Sequence, residues 1–276
     1  MKYDDALGEE ISTFGQKEIS QLVTNEDWII VRLNLRTFSH FSSCTGKPFD
    51  QRFSQTMKQT TKFLFEEFKP VLSYTHSDEI NLLFRSDNAS LGDDLITTTA
   101  ACAGKASAIF AIEMHKHEPE IIEKHLPSFN GVAQGASPEI AASYFLWREQ
   151  KARKDAVILV ALNKFSQTEV NGKSPDVINE MLVSRGINYH EDYPSSFRRG
   201  TIIRKRKVKM PLTETELSKI PEKFREQKRG QTFSRSQIVE IEDHPPLHEI
   251  ENLTEFILDD EQPETVQKSF ARHITF

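Results

Sequence analysis

Residues 71–84, VLSYTHSDEINLLF, are the stretch that decides the fold of this chain. Two apolar runs, Val71–Thr75 and Ile80–Phe84, flank the four polar residues His76–Glu79. Short apolar runs joined by a polar turn are typical of a β-hairpin with buried strands. The pattern therefore predicts a hairpin whose turn carries two neighbouring acids.

Strands and helices alternate on both sides of this hairpin. A β-branched run over 28–33 predicts a buried strand. Helical spacing of apolar residues over 48–68 predicts a helix with Phe63 in its buried stripe. A second helix over 91–114, with small residues that would let it lie close to a sheet, precedes a strand over 129–134. The order β-α-β-β-α-β predicts an α+β fold, a ferredoxin-like polymerase-type palm with additional helices and a C-terminal extension.

The rest of the chain gives weaker patterns. A long helix is predicted from Pro138 to about residue 165, another begins at Ser174-Pro175 and ends at Gly186, and a charged strand covers 201–208. We expect four parts, which are an N-terminal segment (1–27), a palm core (28–135), a helical and basic-strand part that completes the domain (136–209), and a C-terminal extension (210–276).

The composition argues against several classes of protein. The chain has 276 residues and a net charge of −6, which does not suit a protein that coats nucleic acid indiscriminately. Its two cysteines, Cys44 and Cys102, fit neither a disulfide framework nor a zinc site. We find no apolar stretch near the ~20 residues of a membrane span and no signal peptide. We therefore expect a cytoplasmic protein that binds no membrane.

Charge is unevenly distributed along the chain. Residues 198–209 contain seven basic residues and no acid, whereas residues 236–276 contain ten acids and two basic residues. A basic strip is the electrostatic footprint of a protein that binds a phosphate backbone. A solvated strand face would explain the same run, and the acidic end suits either an oligomer contact or a shield for the basic run.

The acids of the hairpin turn are candidate metal ligands. Polymerase-type palms place carboxylates at the end of the first strand and in the central hairpin turn, where two divalent ions assist phosphoryl transfer. Mg²⁺ prefers hard oxygen ligands, often one or two carboxylates plus substrate phosphates. Here the turn supplies Asp78 and Glu79, but the strand end supplies Asn34. Only one of the two positions is therefore acidic.

Several segments, in order from about residue 28 to 208, match a known family. They are Val31–Phe38, Lys47–Phe53, Tyr74–Phe84, Tyr144–Gln150, Asn171–Ser174, Asn179–Leu182, Gly186–Asn188 and Arg199–Gly200. Together they resemble the bacterial and archaeal tRNA-histidine guanylyltransferase-like proteins. The resemblance implies an enzyme that adds a nucleotide to the 5′ end of tRNA or a tRNA-like RNA in the 3′-to-5′ direction. It also implies GTP or ATP as substrates, Mg²⁺ as cofactor, and a homo-oligomer (dimer or tetramer) or an assembly with an intact paralogue.

The same resemblance implies roles for individual residues. Asp78 and Glu79 would be catalytic, and Asp78, Asn34 and Leu35 would form the metal site. The expected nucleotide-binding residues are Asn34, Leu35, Arg36, Thr37, Phe38, Lys47, Asp50 and Ser77. The basic run and the long helix supply the expected RNA-binding residues, which are Arg153, Lys154, Arg198, Arg199, Arg204, Lys205, Arg206 and Lys207.

Four positions depart from the family pattern. Asn34 and Leu35 replace an Asp-Gly pair, which removes a charged ligand and adds a side chain where the backbone approaches phosphates. Arg153 replaces a His, and Ile178 replaces a phosphate-binding Lys. Two interpretations stay open, an altered but active enzyme and a pseudoenzyme that binds RNA or regulates a partner. A nucleotide cyclase on the same palm fits the strand order but not the later motifs.

Overall fold

The hairpin predicted from residues 71–84 is present in the computed structural model, which describes residues 26–36, 38, 41, 46–91 and 95–265. Six strands form one antiparallel sheet in the order β4-β1-β3-β2-β5-β6. They are β1 (Trp28–Leu35), β2 (Leu72–His76), β3 (Glu79–Arg85), β4 (Phe129–Ala136), β5 (Thr201–Pro211) and β6 (Thr232–Ile241). The first four have the order of a ferredoxin-like sheet, so the predicted α+β palm is confirmed.

Three helices pack on one face of the sheet and one long helix on the other. The first three are α1 (Gln51–Phe68), α2 (Leu95–His115) and α3 (Pro119–Lys124), and the long helix is α4 (Pro138–Leu162). The shorter helices are α5 (Gln167–Val170), α6 (Pro175–Ser184), α7 (Tyr189–Asp192), α8 (Ser195–Arg199), α9 (Glu214–Ser218), α10 (Glu222–Lys228) and α11 (Leu253–Asp259).

Capping residues explain where the main helices begin and end. Asp50 caps α1 by accepting from the Arg52 and Phe53 N–H groups, and Ser137 caps α4 by accepting from the Ile140 N–H. Both are the short oxygen-bearing residues that satisfy free N–H groups at a helix start. Helix α6 ends just before Gly186, which adopts a φ of +74° as glycine does past a helix end.

Strand β1 separates two hydrophobic cores because its side chains alternate in direction. Ile29, Val31, Leu33 and Leu35 pack with α1 and α2. Trp28 and Ile30 pack on the opposite face with α4. A third cluster joins the C-terminal half of α4 to α6 and α8. Asn34 therefore faces the α4 side of the sheet, and Leu35 faces α1 and α2.

Two helices differ from the sequence prediction in their exposed faces. Phe63 is 45% exposed rather than buried, because the buried stripe of α1 continues through Leu64, Phe65 and Phe68.

Helix α2 is long and apolar enough to cross a membrane by length and composition alone, a property that the sequence analysis missed. In the structure α2 packs on the sheet, and Gly131 of β4 lets it approach closely, since a Cβ there would lie 2.4 Å from a Thr99 methyl.

Strand β6 was not predicted. It pairs with β5, and the two strands together form a long two-stranded arm. Strand β2 pairs only with Thr201–Ile203, whereas β5 and β6 pair along the whole of 202–211 and 232–241. The arm carries α9 and α10 at its tip. The sequence of β6, TFSRSQIVEI, has too weak an apolar alternation to predict a strand.

Candidate functional site

The end of β1 and the central hairpin turn meet at one edge of the sheet. Asn34 pairs with Glu79 in the ladder, and the Leu35 N–H donates to the Asp78 carbonyl at 3.0 Å. Ser77 supplies the positive φ, 52°, that a tight hairpin turn needs at its first central residue. The two positions expected to carry metal ligands, Asn34 and Asp78, are therefore neighbours.

The Asp78 carboxyl lies in a partly buried environment. Burial raises its pKa, and the neighbouring Glu79 charge adds to that effect, while a hydrogen bond from Ser77 and the Arg148 charge oppose it. A desolvated carboxylate is stabilised by a cation because water no longer screens the attraction. Among the described residues Asp78 is the acid best placed to meet a metal ion at this edge.

Glu79 is engaged inside the protein rather than open to a substrate. It is 8% exposed, and its Oε2 accepts from the Arg148 guanidinium in a buried ion pair. Its Oε1 accepts from the Asn81 side-chain amide at 2.8 Å. Glu79 is therefore bound to α4 and β3 through both carboxylate oxygens, and its expected catalytic role stays a prediction.

The structure also shows where the other residues that depart from the family pattern lie. Leu35 is 2% exposed and its side chain lies in the core, so only its backbone reaches the site. Ile178 is fully buried in the cluster around α4. The Arg153 guanidinium hydrogen-bonds His248 at 3.0 Å. The Leu35 side chain is therefore part of the core and is not exposed at this edge of the sheet.

A cavity of about 360 Å³ opens beside the hairpin turn. Four of the expected nucleotide-binding residues line it, namely Phe38, Lys47, Asp50 and Ser77. Its apolar wall consists of Phe49, Phe53, Met57, Leu159, Leu162 and Phe197. The cavity has the mixture of apolar wall and few polar groups that small-molecule sites share.

Asp50 organises the loop at the mouth of this cavity. Its carboxylate accepts from the N–H groups of Gly46 at 2.8 Å, Arg52 at 2.8 Å and Phe53 at 3.1 Å. Burial acts to raise the Asp50 pKa, but these hydrogen bonds and the Arg52 side chain outweigh burial and hold the pKa below its usual value. The ionised Asp50 thereby holds the backbone at Gly46, next to Lys47, an exposed residue on the cavity wall.

Two cavity residues were missed by the sequence analysis. The His76 imidazole hydrogen-bonds the Phe197 carbonyl at 3.0 Å, and burial lowers the pKa of His76. Lys58 lies in the wall with its ammonium between Glu240 and Glu242. His76 belongs to the hairpin motif and could have been singled out there. The Lys58 contacts join α1 to β6, a pairing that the sequence does not reveal.

The expected RNA-binding residues divide into an exposed and an engaged set. Lys154, Lys205 and Lys207 are exposed. Arg204 is 2% exposed and donates to the Phe256 carbonyl at 2.7 Å, so it is corrected to a structural residue. The remaining four arginines are partly buried and bond protein groups, which are His248 for Arg153, the Tyr193 carbonyl for Arg198, the His244 carbonyl for Arg199 and Asp260 for Arg206.

Other predicted residues lie at or beyond the limits of the described chain. Arg36 is exposed at the end of β1, where its N–H donates to the Ser128 carbonyl at 2.8 Å. Phe38 packs on the core beside Phe53, with ring centroids 5.4 Å apart. Thr37 and Cys44 lie outside the described residues, as do most of the N-terminal segment and the last residues of the acidic end.

Comparisons with known proteins agree with this geometry. The family model for tRNAHis guanylyltransferase matches residues 11–135. A probable tRNA(His) guanylyltransferase of Drosophila melanogaster is 24% identical over 196 residues, 66% of this chain and 68% of that protein. One of Dictyostelium discoideum is 26% identical over 226 residues, 76% of this chain and 87% of that protein.

Solved structures show the same fold. A bacterial tRNA(His) guanylyltransferase-like protein in complex with ATP superposes with a TM-score of 0.66 at 21% identity, over 92% of this chain and 97% of that one. Such a protein in complex with GTP gives a TM-score of 0.61 over the same shares. Strand order, hairpin turn and sequence matches thus agree, and the chain is similar in fold and in sequence to the tRNA-histidine guanylyltransferase-like proteins.

Proposed function

We propose that this protein transfers a nucleotide from GTP or ATP to the 5′ end of tRNA or a tRNA-like RNA, in the 3′-to-5′ direction. The observation that carries the proposal is the cavity, because its wall contains Lys47 and Ser77, the residue before Asp78. Bacterial tRNA(His) guanylyltransferase-like proteins with the same fold were solved with ATP and with GTP. The cavity is large enough for a nucleobase and ribose.

The chain's own residues would bind and orient the nucleotide. The Lys47 ammonium and the Ser77 hydroxyl would meet the phosphates, and the apolar wall around Phe49 and Phe197 would take the base. Such positioning supplies most of the catalysis in phosphoryl transfer, because the protein itself takes little covalent part. The 3′-hydroxyl of the bound nucleotide would then be held toward an activated 5′ phosphate of the RNA, from which it would displace AMP if the end is adenylylated or pyrophosphate if the end carries a triphosphate.

The residues at the sheet edge fit a divalent ion that arrives with the nucleotide. Within the described parts of the chain, no group of three or more His, Cys, Asp and Glu residues is placed to hold a metal alone. Asp78 offers one desolvated carboxylate, Asn34 an amide oxygen and Leu35 a backbone carbonyl. Mg²⁺ commonly takes one carboxylate and completes its shell with phosphates and water. When bound, it would neutralise charge on the phosphates.

A row of lysines on the β5–β6 arm is the best candidate surface for the RNA. Lys205, Lys207 and Lys209 are exposed on one face of β5, about 7 Å apart because alternate residues of a strand share a face. Ser234 and Ser236 pair with Lys209 and Lys207 across the arm. Exposed lysines that follow one line suit the phosphates of a nucleic acid strand.

We also propose a cytoplasmic homo-oligomer. The outer face of α2 exposes Ile96 by 49% and Ile112 by 62%, and the adjoining edge strand β4 has no charged residue. Uncharged edges and exposed apolar faces are usually covered in soluble proteins. Light scattering on the purified protein should give a mass above that of one 31.7 kDa chain. A monomer at micromolar concentration would contradict this proposal.

The function is tested by direct nucleotide addition. The purified protein is mixed with Mg²⁺, labelled GTP or ATP, and a 5′-activated tRNA, and the RNA is resolved at single-nucleotide resolution. We expect an RNA lengthened at its 5′ end and no product from Asp78→Asn, with Asp87→Asn, an exposed acid after β3, as the matched control. If the RNA binds but is never lengthened, the protein is an RNA-binding pseudoenzyme instead.

A further inference from the structure

The turn that carries Asp78 is connected to the long helix α4 by a buried polar network. Arg148 of α4 donates to Glu79 Oε2, and Asn81 donates to Glu79 Oε1 at 2.8 Å. The Tyr144 hydroxyl, one helical turn before Arg148, donates to the Asn81 side-chain carbonyl at 2.5 Å. The network thus joins α4 to β3 at residues more than 60 positions apart in sequence.

Every member of this network is buried. Asn81 is 0%, Tyr144 4%, and Arg148 and Glu79 each 8% exposed. The Arg148 guanidinium also lies over the Trp147 ring, 4.6 Å from its centroid. Buried groups that hydrogen-bond each other have few alternative arrangements, since each lost hydrogen bond leaves a desolvated polar atom. The Glu79 carboxylate is therefore held at both of its oxygens.

The backbone transmits this position to Asp78. The Thr75 hydroxyl donates to the Glu79 carbonyl at 2.9 Å, and the Leu35 N–H donates to the Asp78 carbonyl at 3.0 Å. The turn is therefore held by β2 and β1 at its backbone and by α4 at the side chain next to Asp78.

We propose that Arg148 and Tyr144 are positioning residues, which act through Glu79 and Asn81 to hold the Asp78 turn against the end of β1. The inference rests on the proposed nucleotidyl transfer for its catalytic consequence, but the holding of the turn is a property of the protein alone. A buried ion pair gives little net stability compared with an apolar replacement. Its presence directly beneath this turn is explained by the fixed geometry that it imposes.

The test combines variants that differ in what they remove. Arg148→Met with Glu79→Gln removes both charges, so no unpaired charge is buried, and Tyr144→Phe removes one hydrogen bond with no change of charge. Arg148→Lys keeps the charge but loses the planar fork. Arg185→Met is the matched control, since the Arg185 guanidinium also lies over an aromatic ring, that of Phe165, but far from the turn in sequence and in a different cluster.

We expect hydrogen exchange of the amides in 76–79 to rise about tenfold in the double variant and less in Tyr144→Phe, with no change in the Arg185 control. Nucleotide addition should fall by about 100-fold in kcat, as a misplacement near 1 Å does, with KM for GTP changed less than threefold. Arg148→Lys should recover part of the rate that Arg148→Met loses.

Unchanged exchange in the double variant would overturn the inference, and so would a fall in thermal stability with unaltered kcat. If the double variant does not fold, exchange and kcat in Tyr144→Phe decide in the same way. Wild-type protein that neither binds GTP nor extends RNA would overturn the proposed function, and the exchange data would still decide whether Arg148 and Tyr144 hold the turn.

Discussion

Two adjacent residues at the end of β1, Asn34 and Leu35, show how far sequence reasoning reaches at single positions. The loss of a carboxylate at Asn34 could be seen in the sequence, since the residue follows a predicted strand. The obstruction expected from Leu35 is not present, because strand alternation turns its side chain into the core. The sequence shows that neighbouring residues of β1 lie on opposite faces of the sheet. It does not show which face carries the site, because helices cover both faces.

Replacing Asn34 with Asp should strengthen divalent-metal binding about tenfold, which corresponds to ~1.4 kcal/mol. The new carboxylate would stand opposite Glu79 and beside Asp78, so without metal it should lower the thermal midpoint by like-charge repulsion. We expect the midpoint of Asn34→Asp to rise more steeply with Mg²⁺ than that of wild type. Asn130→Asp, the exposed cross-strand neighbour, adds the same charge as a control. Equal responses of the two variants would show that Asn34 is not a ligand position.

Replacing Leu35 with Gly should destabilise the protein by roughly 3–5 kcal/mol, since it empties a buried leucine site and adds backbone freedom to a strand. Urea unfolding of Leu35→Gly measures the cost. We expect no gain in GTP affinity, because the leucine side chain lies away from the cavity. A variant that stays stable and binds GTP more tightly would mean that Leu35 does obstruct the phosphates.

At the scale of elements, α4 holds the segment that follows β6 through a buried acid and a buried histidine. Glu149 is fully buried, and its Oε2 accepts from the Leu247 N–H at 2.8 Å. Burial raises the Glu149 pKa to about 7. His244 lies 4.0 Å from Glu149 Oε1, and burial lowers the His244 pKa to about 4. The two groups therefore respond to pH in opposite directions.

The Glu149 contribution to stability is present below the ordinary carboxyl pKa and is lost as pH rises through about 7. Glu149→Gln keeps an acceptor for the Leu247 N–H without the charge. Its thermal midpoint relative to wild type should therefore increase from pH 4.5 to pH 7, by about 5 °C for ~2 kcal/mol.

His244→Asn should show the opposite trend. Its thermal midpoint relative to wild type should increase as pH falls from 6.5 toward 4, since the neutral His244 stabilises only above that range. Parallel curves for either variant would contradict the assignment.

For the β5–β6 arm, the sequence predicted strand β5 but not the direction in which its basic side chains point. The basic run does form a strand, but alternation divides it, so that Arg204 and Arg206 face α11 and its end at Asp260 while the lysines face solvent. Which half faces the protein could not be predicted, because the covering helix is more than 40 residues later in the chain.

Reversing the three exposed lysines, Lys205, Lys207 and Lys209, to Glu should weaken tRNA binding without unfolding the protein. Each lost phosphate contact should reduce the salt dependence of affinity by roughly 0.7–0.9 in the log–log slope. Lys124, Lys164 and Lys173, which are exposed elsewhere, give a control triple variant with the same change of charge. If both variants weaken binding equally, the effect is one of net charge and the arm is not the RNA surface.

For the whole molecule, the strand order and the hairpin turn followed from local patterns, but the cavity did not. Its wall takes residues from α1, β2, α4 and α8, which are separated by up to about 150 positions. Local periodicity predicts an element and its apolar face, but not which distant element covers that face. Phe197 and Leu162 could therefore not be assigned to the site in advance, whereas Lys47 and Ser77 could, through their motifs.

The Glu79–Arg148 pair has a consequence for any attempt to divide this protein. Ala136 ends β4 and Ser137 caps the long helix, so a cut between them would leave one charge of a buried pair on each fragment. Neither fragment would bury its apolar face alone. When fragments 1–136 and 137–276 are co-expressed, they should associate into one folded protein, as the two fragments of a complementation reporter do. Glu79→Lys in the first half should prevent that reassembly, and pairing it with Arg148→Glu in the second should recover part of it.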